Sequence, residues 1–221
     1  MKRIPYSEAA NSLRTYGRVW HDTGADVLYM DYTCCGIRLS FTGCLLAVDF
    51  RSIPDTLVPP GANAPPKRED WPYIGVFLDG AEVPCRKIQV RDGDTPVVFL
   101  SEAPETHEIL IVKLTENFRT CLGVAGFLMD GELQTLPEEA QRDIIEFIGD
   151  SITCGFGNDT ADPTHEFQAA EEDGWLTHGA IAARRMNLEP RFICVSGIAV
   201  AGMPLPGGYS MCQLYPYTDR I

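Results

Sequence analysis

The chain has 221 residues, 45% of them hydrophobic and 22% charged, with a formal net charge of −13. That balance is expected of a soluble globular protein of one or two domains. It excludes nucleic acid as a partner, which requires a basic surface, and it excludes anionic membrane surfaces.

The N-terminal Met1-Lys2-Arg3 is followed by Ile4-Pro5-Tyr6-Ser7-Glu8 and not by an apolar leader, so the chain as given reads as cytoplasmic. Eight cysteines are scattered without a Cys-x-x-Cys pair, which predicts buried free thiols and neither metal nor cofactor. Of these, Cys154 stands three residues after Ser151 and is a candidate to line a site.

Residues 1–135 read as all-β. Runs rich in β-formers occupy 27–30, 37–41, 45–50, 73–78, 86–90, 97–100, 108–114 and 122–129. Asp79-Gly80, Asp92-Gly93 and Asp130-Gly131 are turn signals beside them, the pattern of a sandwich or barrel. The proline-rich stretch 54–72 reads as a long loop between strands. Trp20, Tyr32, Trp71 and Tyr73 are candidate aromatic platforms for a sugar ring, or else core residues.

From residue 136 the period changes. Residues 144–148 form an apolar run suited to a buried parallel strand. A helix is predicted from Asp173 near the N-cap to about Met186, with Leu176, Gly179, Ala180 and Ala183 on one face, followed by a strand at 192–196. The acidic triplet Glu171-Glu172-Asp173 reads as charge at the positive end of that helix. Strand, helix, strand predicts a parallel unit.

The first strand stops at Gly149-Asp150-Ser151. In an open α/β sheet, ligands bind at the carboxyl ends of the strands, so Ser151 is a candidate nucleophile after a glycine that allows a sharp turn. A tight turn capped by the serine is the competing reading. A serine nucleophile requires a base and backbone N–H groups facing the oxyanion. His21, His107, His165 and His178 are the candidate bases; His107 precedes a strand and reads as a surface or edge residue, and no spacing singles out His165 or His178.

The stretch 145–158 resembles the first block of the SGNH (GDSL-like) hydrolases, and within them carbohydrate esterase family 2. Glu172-Asp173-Gly174-Trp175 and Val195-Ser196-Gly197-Ile198 are similar to further blocks of that family. In the β part, Gly17-Arg18, Phe41-Thr42-Gly43, Phe77-Leu78-Asp79-Gly80 and the run from Ile111 to Glu116 are similar to its sandwich. The resemblance implies a jelly-roll β-sandwich over 1–135, followed over 136–221 by part of a flavodoxin-like three-layer SGNH domain. It implies a carbohydrate O-acetyl esterase acting on acetylated carbohydrate or oligosaccharide, with Ser151 attacking the ester and forming an acetyl-enzyme. The oxyanion would be bound by the N–H of Ser151 and a donor at Gly197 or Ala199, with Gly149 and Asp150 shaping the motif.

The family's later Gly-x-Asn-Asp and Asp-x-x-His blocks do not occur in this sequence. The chain is therefore expected to be C-terminally incomplete, with weak or no turnover as written. The alternative is a non-catalytic carbohydrate-binding or interaction module. One edge of the 144–148 strand has no partner in sequence, which predicts a homodimer through that edge.

Overall fold

The computed structural model describes residues 1–54, 70–117, 120–140, 142–162, 164–201 and 210–217. Most of the 54–72 stretch lies outside them. In chain order the elements are β1 (Lys2–Pro5), α1 (Tyr6–Ala9), β2 (Leu13–Tyr16), β3 (Val19–Asp22), β4 (Val27–Met30), β5 (Gly36–Pro54), β6 (Tyr73–Leu78), β7 (Arg86–Gln89), β8 (Val97–Lys113), β9 (Thr120–Met129) and β10 (Glu132–Gln134). There follow β11 (Ile144–Gly149), α2 (Ser151–Cys154), α3 (His178–Arg185), β12 (Glu189–Cys194) and α4 (Met211–Leu214).

β1 to β10 form an antiparallel system with the path β3-β4-β9-β5-β8-β6-β7, to which β1, β2 and β10 add. β11 and β12 form a separate parallel pair. The all-β and parallel readings of the two parts of the sequence therefore agree with the pairing.

Two pairs of expected strands are continuous. Runs 37–41 and 45–50 are one strand, β5, because the break at Gly43 is a bulge and not a turn. A methyl group at Gly43 would come within 2.8 Å of Asp130 Oδ1. That oxygen accepts the N–H groups of Cys44 and Leu45, both at 2.9 Å, so the bulged backbone is satisfied. Runs 97–100 and 108–114 are likewise one strand, β8, which passes Pro104 opposite the bulge. The short strands β1, β2, β3 and β10 carry little apolar signal; in β1 only Ile4 is buried.

The helix expected over 173–186 is two pieces. Asp173 Oδ1 accepts from Trp175 N at 2.9 Å and caps a 3-10 turn, Gly174–Leu176. Thr177 then caps α3, its Oγ1 accepting from Ala180 N at 3.3 Å. Each short polar side chain satisfies a different set of free helix N–H groups, so the helix restarts. Gly179, Ala180 and Ala183 are buried, and Gly179 lies against the Phe147 ring of β11, whereas Leu176, expected on the same face, lies in the separate 3-10 turn and is exposed. The strand expected at 192–196 is β12, three residues earlier at its start and ending at Cys194.

The parallel pair does not stand apart. Ile193, Val195, Met211 and Leu214 join the large core of the antiparallel system, beside Leu28, Ile37, Phe50 and Leu122. A second cluster packs Cys34, Phe77, Val112 and Leu114 against Cys154, Ala180, Phe192 and Cys194. Among the described residues β11 pairs only with β12, and Ile144 and Ile148 are about half exposed.

Candidate active site

The register of the parallel pair determines what meets at its end. Gly149 lies opposite Cys194, and Val195 N donates to Gly149 O at 3.3 Å as the last rung. Beyond it the two chains part into turns, one through Asp150-Ser151 and the other through Ser196-Gly197. Ser151 and Gly197 are thereby brought to the same carboxyl end of the sheet.

The first turn is built by local chemistry. Asp150 Oδ1 accepts from Ile152 N at 3.1 Å and caps α2, while its main-chain oxygen accepts from Cys154 N at 3.0 Å. A methyl at Gly149 would run into the Thr153 hydroxyl, so only glycine lets β11 pass directly into α2. Gly155 ends α2 in the left-handed region, with φ of 90°.

The second turn is closed by Ile198 N donating to Val195 O at 3.2 Å, with Gly197 at φ of 75°. This is a four-residue turn whose third position demands a positive φ, the reason for a glycine there. Ser196 N donates to Glu116 Oε2 at 2.6 Å. Among the described residues, the N–H groups of Ser151 and Gly197 and the Ser151 hydroxyl have no hydrogen-bond partner. The Ala199 carbonyl accepts from Met211 N at 2.8 Å, while its N–H, like those of Ser151 and Gly197, has no hydrogen-bond partner among the described residues.

Behind the turns lies a fully buried polar cluster. Glu116 follows β8; its N–H donates to Glu172 Oε2 at 3.2 Å, and its own Oε2 accepts from Cys154 Sγ at 3.5 Å. The Lys113 ammonium is enclosed beside them, donating to the carbonyls of Asp31, Thr115 and Glu116. Donor atoms of Glu116, Cys154 and Glu172 lie within 4.8 Å of one another, the spacing of a metal-ligand set. Each carboxylate commits its Oε2 to a backbone N–H, while Glu116 Oε1 is buried without a hydrogen-bond partner among the described residues. Of the acidic triplet, Asp173 caps the Gly174–Leu176 turn as a charge at a helix N-terminus does, yet both Glu172 and Asp173 are buried, and burial raises the Asp173 carboxyl against the opposing pull of Lys87. Glu116 is the residue that sequence reasoning missed as part of the site; its only signal was the Lys-Leu-Thr-Glu run at the end of a strand.

The histidines are all engaged away from Ser151. His21 pairs with Asp26 at 3.2 Å, His107 with Asp79 at 2.6 Å and Glu105 at 3.0 Å, and His165 with Glu171 at 2.5 Å. His178 heads α3 with its ring edge-on to Phe147. Cys154 is no rival nucleophile, since burial and the neighbouring Cys194 push its thiol well above the ordinary range. Of the expected aromatic platforms, Tyr32 is fully buried core and Tyr73 is half-buried in the second cluster. Trp20 alone among the four is as much as half exposed, stacked on Tyr29 with ring centroids 5.6 Å apart.

No protein-family model matches the chain. It is 31% identical over 158 residues to a cellulase/esterase, CelE, of Acetivibrio thermocellus, a match covering 68% of this chain and 18% of that protein. It is 30% identical over 131 residues to an acetylxylan esterase/glucomannan deacetylase of Cellvibrio japonicus, covering 57% of this chain and 35% of that one. The chain thus spans about a fifth to a third of the length of these curated relatives. Among solved structures, a family two carbohydrate esterase from Clostridium thermocellum in complex with cellohexaose superposes with a TM-score of 0.76 at 25% identity, over 93% of this chain and 58% of that one. A family two carbohydrate esterase from Cellvibrio japonicus shares the fold, with a TM-score of 0.79 at 17% identity over 99% of this chain and 60% of that one.

Proposed function

Because this chain is a relative of the carbohydrate esterase family 2 enzymes in sequence and in fold, we propose that it is the nucleophile-bearing part of a carbohydrate O-acetyl esterase. The substrate is an acetylated sugar or oligosaccharide. Ser151 Oγ attacks the ester carbonyl carbon, the sugar alcohol leaves, and an acetyl-enzyme remains for water to cleave. The oxyanion is held by the N–H groups of Ser151 and Gly197. The observation that carries this reading is the pair of unpartnered peptide donors on adjacent turns, beside a serine hydroxyl that is also unpartnered. Backbone donors left open at one end of a sheet are what acyl transfer requires.

The reading includes a limit on rate. No imidazole among the described residues hydrogen-bonds the Ser151 hydroxyl, because three are paired with carboxylates and the fourth sits against Phe147. Loss of the base from a serine–histidine pair costs on the order of 10⁶ in kcat in a well-studied protease. With p-nitrophenyl acetate the chain is expected to give slow acetylation at Ser151, seen as an added acetyl group on that peptide by mass spectrometry. The Ser151→Ala variant is expected to give none. Acetylation elsewhere, or equal turnover by the variant, would remove Ser151 from the mechanism.

A second reading, carbohydrate binding without catalysis, is favoured by one observation: Trp20 presents a half-exposed indole stacked on Tyr29. Both readings share a sugar ligand, and the acetylation experiment separates them.

A further inference from the structure

Building on the esterase reading, we infer that Glu116 is a positioning residue that holds both halves of the oxyanion site through one carboxylate oxygen. The turn after β12 has three N–H groups to direct. Ile198 N closes the turn on Val195 O at 3.2 Å, and Ser196 N is taken by Glu116 Oε2 at 2.6 Å. Gly197 N is the donor left over. Fixing Ser196 N inward fixes the rotation of the turn about its ends, and therefore the direction in which the next peptide presents its N–H.

The same oxygen accepts from Cys154 Sγ at 3.5 Å. Cys154 is the last residue of α2, and Ser151 is the first. The nucleophile helix and the oxyanion turn are thus tied to one atom, contributed by the antiparallel system from about 35 residues before Ser151. Glu116 is in turn held by two contacts of its own main chain. Its N–H donates to Glu172 at 3.2 Å, and its carbonyl accepts from Lys113 at 3.0 Å.

A short hydrogen bond to a carboxylate is roughly twice as strong as a neutral one. Burying a carboxylate is costly unless it is well partnered. A packing role alone would be filled at lower cost by an apolar side chain. The carboxylate's special property here is a strong acceptor at a fixed point, shared by two elements that must keep register with each other. A misplacement of about 1 Å in a reacting group lowers rate by about 10²-fold.

The test compares the full chain with Glu116→Gln, Glu116→Asp and Ser151→Ala. Two readouts are taken: the amide proton shift of Ser196 and Gly197 in ¹H–¹⁵N spectra, and the kinetics of Ser151 labelling by a fluorophosphonate, divided into probe affinity and maximal rate. Wild type is expected to show a downfield Ser196 amide, the signature of a short charge-assisted bond. In Glu116→Gln that proton moves upfield, Gly197 shifts with it, and maximal labelling falls by about tenfold or more with probe affinity unchanged. Glu116→Asp keeps the charge with a shorter reach; it falls between the two and guards against a Gln variant that does not fold. Unchanged labelling in both variants overturns the positioning role, as does a Ser196 amide that does not respond. Failure of wild type to label at Ser151 instead defeats the esterase reading itself, and the amide comparison then still decides whether Glu116 holds the turn.

Discussion

The glycines and acids around Ser151 each have a single geometric task. Gly149 leaves room for the Thr153 hydroxyl, Asp150 caps the first turn of α2, and Gly197 adopts a φ of 75° that other residues rarely adopt. These tasks are local, so the Gly-Asp-Ser turn could be read from sequence. Glu116 could not, because Ser196, which it binds, lies 80 residues further on and no spacing rule connects them. Another residue-scale consequence concerns His107. Hydrogen bonds to Glu105 and Asp79 hold the protonated imidazole and raise its pKa above the ordinary 6.5, against the opposing effect of burial. Its contribution to stability is therefore complete below the unfolded value and is lost as pH rises through the raised one. An NMR titration of the His107 ring should give a midpoint above that of a free histidine, and Asp79→Asn should lower it. A midpoint at or below 6.5 in the native chain would contradict the pairing seen here.

At the scale of elements, the sequence misled wherever a break in pattern was not a break in structure. Gly43 and Pro104 interrupt apolar runs, yet β5 and β8 continue past them, because a bulge satisfied by Asp130 absorbs the irregularity. The converse holds over 173–186. There the apolar spacing is continuous, but two capping side chains, Asp173 and Thr177, divide it. The boundaries of β4 and β6 were legible because turn residues and apolar ends coincide. Thr177 is buried and makes two bonds, accepting from Ala180 N and donating to Gly174 O at 2.8 Å. Thr177→Ala should destabilise the chain by about 1 to 2 kcal/mol, read from the midpoint of urea unfolding. A change within about 0.3 kcal/mol would mean that α3 is held by its packing on Phe147 alone.

For the molecule as a whole, the two kinds of sheet share their apolar cores. Val195, Met211 and Leu214 enter the core of the antiparallel system, and Cys34, Phe77, Val112 and Leu114 are covered by the parallel pair. Composition can suggest that 1–135 is large enough to fold alone, but it carries no information on a seam formed by residues far apart in sequence. Expressed by itself, the 1–135 segment would expose Phe77, Val112 and Leu114. It should melt well below the full chain and bind a hydrophobic dye that the full chain does not. Equal melting temperatures would show that the seam contributes nothing to the stability of the antiparallel system.

Gly174 lies on that seam, its α-carbon so close to Thr33 that a methyl group would collide with the threonine hydroxyl. Next to it, Trp175 Nε1 donates to the Glu82 carbonyl at 2.9 Å and its indole packs on Phe77. Parts joined this tightly are not interchangeable cassettes. A chimera that draws its front half from one relative and its nucleophile turn from another inherits a mismatched joint unless positions 33 and 174, and 77 and 175, travel together. A change on one side of the seam thus calls for a matching change on the other, so a bulkier residue at 174 is tolerated only with a smaller one at 33.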